Sequence, residues 1–265
     1  MKLSSQYYLS DKQIQQYQQD GHIFLSRVSS PKEIAFYRPI IRAAIQKHNT
    51  EKRLLIERDT YGKAFLKGMN LWAIDRQVKR YVMSQRFAKI AAELMGVDGV
   101  RIYHDQALFK EPGGGHTPWH QDQYYWPLNT DKTITMWMPL VDLTEDMGIL
   151  TFASGSHHQG YLGTLPISDK SEIVFQAYVD QQGFSLSRRK MMNAGDATFH
   201  SGWTLHAAPG NQSAAMREVM TVIYIDANAR VSEPINESQI NDMARWLPGL
   251  KPGDAASSNL NPKVL

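Results

Sequence analysis

The sequence contains no cysteine among its 265 residues. Disulfides, thiolate metal ligands and a cysteine nucleophile are therefore excluded, which leaves imidazole and carboxylate groups as metal ligands. No apolar run approaches the length of a membrane span, and residues 1–6 carry no apolar stretch of the kind found in signal peptides. We expect a cytoplasmic protein without a membrane partner.

The sequence also has little excess of charge of one sign. Its 29 Lys and Arg residues oppose 26 Asp and Glu residues, and both signs are mixed along the chain. This composition predicts no nucleic-acid partner. The basic run at 188–190 is interpreted either as solvated loop or as a contact for an anionic substrate. Because no internal boundary is visible, one domain over residues 1–265 is expected.

Residues 1–99 are predicted to form a mostly helical packing layer. A capping-box pattern at Ser10 predicts a helix that runs to Gln19, and Ser30 starts a second helix on similar grounds. Apolar residues recur at helical spacing across 79–95. This part of the chain holds no cluster of metal ligands, so we expect the chemistry to lie elsewhere.

From Val100 onward the apolar pattern changes to a period of two or to short apolar runs. Strands are predicted over 100–110, 117–124, 133–141, 148–152, 173–179, 196–200 and 217–225. The pattern indicates a mainly β (α+β) protein with a cupin-like double-stranded β-helix, or jelly roll, over residues 100–230 and a pocket between its sheets. The N-terminal helices would pack outside it. Residues 231–265 are expected to form a tail with a short helix at 237–246.

His120 and Asp122 form the first candidate metal site. Side chains two residues apart on a strand lie on the same face, so both could bind one ion. A helix is disfavoured because three glycines at 113–115 precede the segment and Pro118 lies inside it. Two ligands leave the site incomplete.

Four downstream histidines are candidates for a third ligand. His157 and His158 follow a turn, where a solvent-facing or loop role is favoured, and His200 ends a predicted strand with an ambiguous role. His206 precedes a Pro-Gly-Asn turn at 209–211 that would return the chain along a neighbouring strand. That position would let His206 face a partner strand.

Arg217 is the second unusual feature of the β region. It shares its predicted strand face with Val219, Thr221, Ile223 and Ile225. A guanidinium on a buried apolar face needs an anion, which a small-molecule carboxylate would supply in bidentate geometry. The alternative is an exposed strand end near Glu218.

These residues together resemble a known family. His120-Gln121-Asp122, then His206, then Arg217 are similar to the H-x-D…H…R pattern of the phytanoyl-CoA dioxygenase family of Fe(II)/2-oxoglutarate oxygenases, and the resemblance extends over most of the chain. The H-x-D motif alone is weak, whereas the ordered combination is specific. The resemblance implies that His120, Asp122 and His206 hold Fe(II) with positions open for 2-oxoglutarate and O2.

The resemblance also implies a cosubstrate site. Arg217 would pair with the distal carboxylate of 2-oxoglutarate, and Lys110 matches a position near the cosubstrate unless it lies at an exposed strand end. Some relatives carry Ser two residues after the distal His, where this chain has Ala208. The missing hydroxyl would have to come from Ser213 or Thr221.

The implied reaction is hydroxylation of an aliphatic C–H bond in a small metabolite, with succinate and CO2 as co-products. Halogenating relatives have a small residue where this chain has Asp122, so hydroxylation is favoured, with desaturation, ring closure and epoxidation still open. Four aromatic residues are candidates either for the substrate wall or for core packing: Tyr124, Tyr125, Trp126 and Trp203.

Two other classes of protein stay open. A cupin-like metal enzyme that does not use 2-oxoglutarate could employ the same three ligands, but it would leave Arg217 unexplained. A non-catalytic protein that binds a metal or a small molecule could be built on the same barrel.

Overall fold

The computed structural model describes Leu3 and residues 5–265. The expectation that residues 1–6 carry no signal peptide falls partly on Met1, Lys2 and Ser4, which lie outside the described residues. α-Helices are α1 Asp11–Asp20, α2 Pro31–His48, α3 Thr60–Ala64, α4 Leu71–Ile74, α5 Arg76–Val82, α6 Gln85–Met95, α7 Asp169–Gln182 and α8 Glu237–Trp246. Among the described helices, none combines the length and the apolar character that crossing a membrane would require.

The strands form antiparallel sheets. They are β1 His22–Leu25, β2 Leu66–Met69, β3 Val100–Lys110, β4 Thr117–His120, β5 Thr133–Pro139, β6 Leu143–Thr144, β7 Thr151–Ala153, β8 Leu186–Arg188, β9 Met191–Met192, β10 Ala197–Ser201, β11 His206–Ala208 and β12 Arg217–Asp226. A six-stranded sheet has the order β1-β10-β5-β12-β3-β2, a four-stranded sheet has the order β4-β11-β7-β8, and β6 pairs with β9. The predicted fold class, a cupin-like β core with helices outside it, is confirmed.

The period-two pattern of the central strands separates two environments. On β12, Met220 and Val222 are buried in one apolar cluster with residues of α2, α5 and α6. Their neighbours Thr221 and Ile223 point to the opposite face and line a cavity. The helical layer therefore covers one face of the large sheet and leaves the other face for the site.

The N-terminal capping predictions are confirmed, and one helix boundary is corrected. Ser10 and Ser30 each cap a helix through a reciprocal capping box. The single helical pattern predicted across 79–95 is divided into α5 and α6, because Ser84 accepts a hydrogen bond from the Phe87 N–H and so caps a new helix.

The strand predicted at 173–179 is wrong, because these residues lie in α7. Ser168 caps the helix through its side chain, Gly183 ends it in the left-handed conformation, and Ser171, Phe175 and Val179 bury one face at helical spacing. The β-branched residues of the segment favour a strand, but the caps at both ends and the helical spacing of the buried residues outweigh that preference.

Helix α7 is attached to the β core by two hydrogen bonds. The Glu172 carboxylate accepts a hydrogen bond from the Trp119 N–H at 2.8 Å, and the Trp119 indole N–H donates to Gln176 at 2.8 Å. These contacts attach α7 to β4, which carries the first metal-ligand candidate at its end.

The C-terminal region packs against the β core. Helix α8 lies at Glu237–Trp246, where the sequence predicted it, and Trp246 is buried in a cluster with Tyr103 and Ile225. Beyond it, the Val264 N–H donates to the Val100 carbonyl at 3.0 Å, while the Val100 N–H donates to the Leu265 carbonyl at 3.2 Å. Both ends of the tail thus contact the large sheet.

Candidate metal centre

Three predicted ligands meet where β4 and β11 pair. His120 is the register partner of His206, and the two ring centroids lie 4.1 Å apart. Asp122 Oδ1 lies 3.6 Å from His120 Nε2 and 3.8 Å from His206 Nε2. Candidate ligand atoms of all three residues lie within 4.8 Å of one another, close enough to share one ion.

The position of Asp122 has a different local cause from the one predicted. Strand β4 ends at His120, and a 3₁₀ helix spans Asp122–Tyr125. The two residues therefore do not share a strand face. The turn into the 3₁₀ helix brings the carboxylate back toward the histidines instead.

Backbone carbonyls orient both imidazoles. His120 Nδ1 lies 2.7 Å from the Pro118 carbonyl oxygen, and His206 Nδ1 lies 2.9 Å from the Thr204 carbonyl oxygen. Because a carbonyl can only accept, each Nδ1 carries the proton and each Nε2 lone pair is free for a metal. Burial, then the positive charge of neighbouring imidazoles, holds the pKa of His206 well below its ordinary value, so this ligand is neutral.

The Asp122 carboxylate divides its two oxygens between two tasks. Oδ1 faces the histidine ligands, whereas Oδ2 accepts a hydrogen bond from the Thr135 hydroxyl at 2.9 Å and lies 3.3 Å from His200 Nε2. Burial opposes ionisation, but the imidazoles of His206, His120 and His200 outweigh it and hold the pKa of Asp122 well below its usual range. The ligand is therefore a carboxylate oriented by two donors.

His200 is the residue of this cluster that the sequence left ambiguous. It lies on β10 directly opposite Thr135 of β5, and it is buried. Its Nε2 faces Asp122, while its Nδ1 has no partner. The alternating pattern of β10 in the sequence could have placed His200 on the inner face, but it could not have identified Asp122 as its neighbour.

Arg217 lies in the same interior and is fully buried. Its Nη1 donates to the Gly148 carbonyl, whereas Nε and Nη2 have no partner among the described residues. The guanidinium lies over the rings of Phe65 and Trp137, at 5.3 and 5.5 Å from their centroids. Burial lowers its pKa to about 9. Two N–H-bearing atoms of a buried cation thus lack an acceptor.

The alternative that Arg217 lies at an exposed strand end near Glu218 is wrong, because Arg217 is buried and Glu218 contacts another residue. Glu218 points to the other face of β12, where it accepts hydrogen bonds from Arg38 Nε at 2.7 Å and from Arg38 Nη2 at 3.1 Å. It is therefore not the partner of Arg217.

Lys110 is the register partner of Arg217 on β3 and is also fully buried, so the exposed strand-end alternative is wrong. Its ammonium donates to the carbonyl oxygens of Gly115 and Pro209 and lies 3.4 Å from the Thr117 hydroxyl. Burial, followed by the charge of Arg217, lowers the pKa of Lys110 to about 6. Two basic groups therefore share this end of the interior without an ion-pair partner among the described residues.

The two candidate hydroxyls lie in different places. Thr221 lines the cavity, although its hydroxyl donates to the Gln106 carbonyl at 3.1 Å. Ser213 lies outside the lining, in a turn where its hydroxyl donates to Asn211 Oδ1 at 2.7 Å. The structure therefore does not bring Ser213 to the site.

A cavity of about 300 Å³ is lined by the three metal-ligand candidates and by Phe65 and Trp137, whose rings also contact the Arg217 guanidinium. Of the four aromatic candidates, Tyr125 and Trp126 line it, whereas Tyr124 and Trp203 do not. The Tyr125 hydroxyl accepts a hydrogen bond from the Ile167 N–H at 2.8 Å. The structure thus brings two of the four predicted wall residues to the cavity.

Charged residues that the sequence did not single out line the same cavity: Lys67, Asp242 and Arg245. The basic run at 188–190 does not reach it, since Arg188 pairs with Glu145 at 3.0 Å and Arg189 lies over the Phe24 ring. Lys67 comes from the edge strand β2, which the sequence did not indicate.

The donor set fits iron. Two neutral imidazole nitrogens and one carboxylate oxygen on one side of a cavity form the facial arrangement that non-haem Fe(II) oxygenases use. The carbonyl partners of both histidines and the two donors on Asp122 supply the outer contacts that orient such ligands.

Comparisons with known proteins agree with this geometry. The family model described as phytanoyl-CoA dioxygenase (PhyH) matches residues 17–219. Phytanoyl-CoA dioxygenase domain-containing protein 1 of Danio rerio is 28% identical over 187 residues, which cover 66% of this chain and 62% of that protein. A methylphosphonate hydroxylase of Gimesia maris is 23% identical over 239 residues, which cover 89% of this chain and 87% of that protein.

A solved structure extends the likeness to the fold. SnoK, a non-heme alpha ketoglutarate dependent carbocyclase from nogalamycin biosynthesis, has a TM-score of 0.78 and 25% identity, with 97% of each chain covered. Because the family model matches most of the sequence, this chain belongs to the phytanoyl-CoA dioxygenase family of non-haem iron and 2-oxoglutarate-dependent oxygenases.

Proposed function

We propose that this protein is a dioxygenase that hydroxylates an aliphatic C–H bond of a small metabolite and forms succinate and CO2 from 2-oxoglutarate. Fe(II), 2-oxoglutarate and O2 are the cofactors of its family. The observation that carries the proposal is Arg217, a fully buried guanidinium with two unpartnered nitrogens in the interior that also holds three metal ligands. A dicarboxylate that reaches from the metal to Arg217 would bind the metal at one end and accept hydrogen bonds from the unpartnered nitrogens of Arg217 at the other.

Each residue of this interior has a separate task under the proposal. His120, Asp122 and His206 would hold iron, and Arg217 would orient the distal carboxylate of 2-oxoglutarate, with Lys110 beside it. Bound iron supplies the oxidative chemistry that couples loss of CO2 to C–H oxidation. The protein positions the reactants and excludes water, which the burial of Arg217 and Lys110 supports.

Hydroxylation is preferred over related outcomes for two reasons. Asp122 occupies the ligand position that halogenating relatives leave small, and the relative from Gimesia maris is a hydroxylase. The carbocyclase SnoK has the same fold, so the fold alone does not select the reaction. A cupin-like enzyme without 2-oxoglutarate would leave the unpartnered nitrogens of Arg217 without an acceptor.

The test uses the full chain loaded anaerobically with Fe(II). Binding of 2-oxoglutarate is followed by the visible charge-transfer absorption of its Fe(II) chelate, and succinate is quantified after exposure to O2 during a screen of candidate metabolites. We expect Asp122→Ala to abolish hydroxylation of the substrate. Arg217→Gln should keep iron but raise the 2-oxoglutarate requirement about tenfold to a hundredfold, because a charge-assisted hydrogen bond is lost.

Arg76→Gln is the matched control, since Arg76 is exposed at the start of α5. An unchanged 2-oxoglutarate requirement in Arg217→Gln would overturn the cosubstrate assignment. Absence of succinate under every substrate condition would overturn the proposed reaction.

A further inference from the structure

The cavity has a group of basic residues separate from Arg217 and Lys110, which are buried but are not among its lining residues. Lys67 and Arg245 both line the cavity, and neither forms an ion pair or a hydrogen bond with another described residue through its side chain. Lys67 comes from β2, and Arg245 comes from α8. Two elements far apart in the sequence thus bring positive charge to the same opening.

Lys67 is held by packing. It pairs across the sheet with Leu108, another lining residue, and its ammonium lies 3.2 Å from the centroid of the Tyr61 ring. Burial lowers its pKa to about 8; the carboxylate of Asp59 opposes this shift, and the charge of Arg245 adds to it. An ammonium in this position would gain from an anion more than an ordinary surface lysine would.

Arg245 is exposed and lies over the ring of Trp246, 4.4 Å from its centroid. The nearest carboxyl group on α8 is that of Asp242, which also lines the cavity. It accepts a hydrogen bond from the Tyr103 hydroxyl at 2.8 Å, and burial raises its pKa to about 7. Because burial raises its pKa, Asp242 opposes the two basic charges less than an ordinary carboxylate would.

The cavity that the basic pair shares with the metal ligands is small and partly apolar. Met69, Trp126, Ile167 and Ile223 line it. A volume of about 300 Å³ is at the low end for ligand sites and must also hold the cosubstrate. This geometry suits a short aliphatic chain with a charged group at the outer end.

We propose that Lys67 and Arg245 form an anion subsite and that the substrate is a small organic anion whose carboxylate or phosphonate group binds there while its aliphatic carbon faces the metal ligands. This inference rests on the proposed oxygenase function, because the bound anion is a substrate only if the protein has that function. The subsite itself can be tested by binding alone.

The experiment compares ligands that share one carbon chain. Butylphosphonate, butanoate and neutral butanamide are titrated calorimetrically into the metal-free full-length protein. We expect both anions to bind at least tenfold more tightly than butanamide, and the stronger of the two identifies the preferred head group. Lys67→Met and Arg245→Gln should each weaken anion binding about tenfold, the scale of one charge-assisted contact, and Lys67→Arg should restore it.

Two matched controls define the site. Lys12→Met and Arg76→Gln remove exposed charges elsewhere and should change nothing. If anions bind no more tightly than butanamide, or if Lys67→Met binds them as wild type does, the subsite is overturned. If only Arg217→Gln weakens them, the probes occupy the inner end, and the subsite is again overturned.

Failure of the subsite and failure of the proposed function give different results. A protein that releases succinate from 2-oxoglutarate but does not bind the anions retains the oxygenase function and loses the subsite. A protein that binds the anions through Lys67 but never consumes 2-oxoglutarate loses the oxygenase function, because the binding measurement needs no iron.

Discussion

The inner end of the cavity and its mouth are built in different ways. At the inner end, directed hydrogen bonds orient the ligands: backbone carbonyls fix His120 and His206, and a hydroxyl and an imidazole hold Asp122. At the mouth, Lys67 and Arg245 rest on aromatic rings without a hydrogen bond to another described residue. The fold therefore fixes the geometry of the metal ligands, whereas the basic pair at the mouth depends on a few replaceable side chains.

The largest expected effect comes from removing an inner ligand. Loss of a contact to a metal ligand typically lowers metal affinity about 10–100-fold. His206→Ala should lower Fe(II) affinity by more than this, because it removes one of the three protein ligands themselves. The affinity is measured anaerobically by competition with a chelator. His158→Ala is the control, since His158 is exposed on a 3₁₀ helix. Equal loss in the two variants would contradict the ligand assignment.

A smaller effect on Fe(II) affinity is expected from removing the two groups that contact Asp122. His200→Ala and Thr135→Val should each lower Fe(II) affinity about 10–100-fold, because Asp122 Oδ2 loses a donor that orients it. His200→Gln retains an N–H donor and should recover part of the loss. This partial rescue distinguishes a positioning role from simple destabilisation, which both variants at position 200 would cause. An unchanged affinity in Thr135→Val would show that Asp122 needs no support from β5.

The sequence predicted the inner end better than the mouth, and the reason is physical. The ligands and Arg217 belong to a motif whose chemistry is visible in residue types and order. Lys67 and Arg245 are ordinary basic residues in the sequence, and only the pairing of β2 with β3 and the packing of α8 on the core bring them together. Long-range contacts of this kind leave no local pattern.

Asp122 lies beside the histidines for a local reason that differs from the predicted one. Strand alternation predicts that its carboxylate faces the same side as His120, but the chain leaves β4 before reaching it. Helix α7 shows the opposite case. The capping signals at Ser168 and Gly183 are sufficient to predict a helix, but the β-branched residues between them favour a strand in the sequence. The prediction of the fold class depended on neither detail, because the alternation of residues along β5 and β12 already indicated a sheet with two different faces.

The mouth should respond to pH. As pH rises from 7 to 10, the Lys67 ammonium, with a pKa of about 8, loses its proton, and Asp242, with a pKa of about 7, completes its ionisation. Both changes disfavour an anion. Asp59 is the other carboxylate acting on Lys67, and the buried Arg217, whose pKa is about 9, loses charge in the upper part of the range. Butanoate affinity should therefore fall about tenfold, the scale of one charge-assisted contact.

Butanoate is the appropriate probe because it stays ionised over this range. Lys67→Arg should flatten the profile, since a guanidinium normally has a much higher pKa than an ammonium, and the remaining slope would report Asp242 and the buried Arg217. A profile that is flat in the wild type would contradict the role of Lys67 in anion binding.

The smallest effect is expected where the mouth is joined to α7. Tyr125→Phe removes the acceptor of the Ile167 N–H and should cost about 1 kcal/mol of unfolding free energy. Because Glu172 and Gln176 still attach α7 to Trp119, faster amide hydrogen exchange should be confined to the residues around Ile167. Tyr178→Phe is the control, since that hydroxyl makes one exposed contact of 3.5 Å. Exchange that accelerates along the whole of α7 would mean that Tyr125, rather than Trp119, anchors the helix. The mouth would then depend on a directed hydrogen bond, as the metal site does.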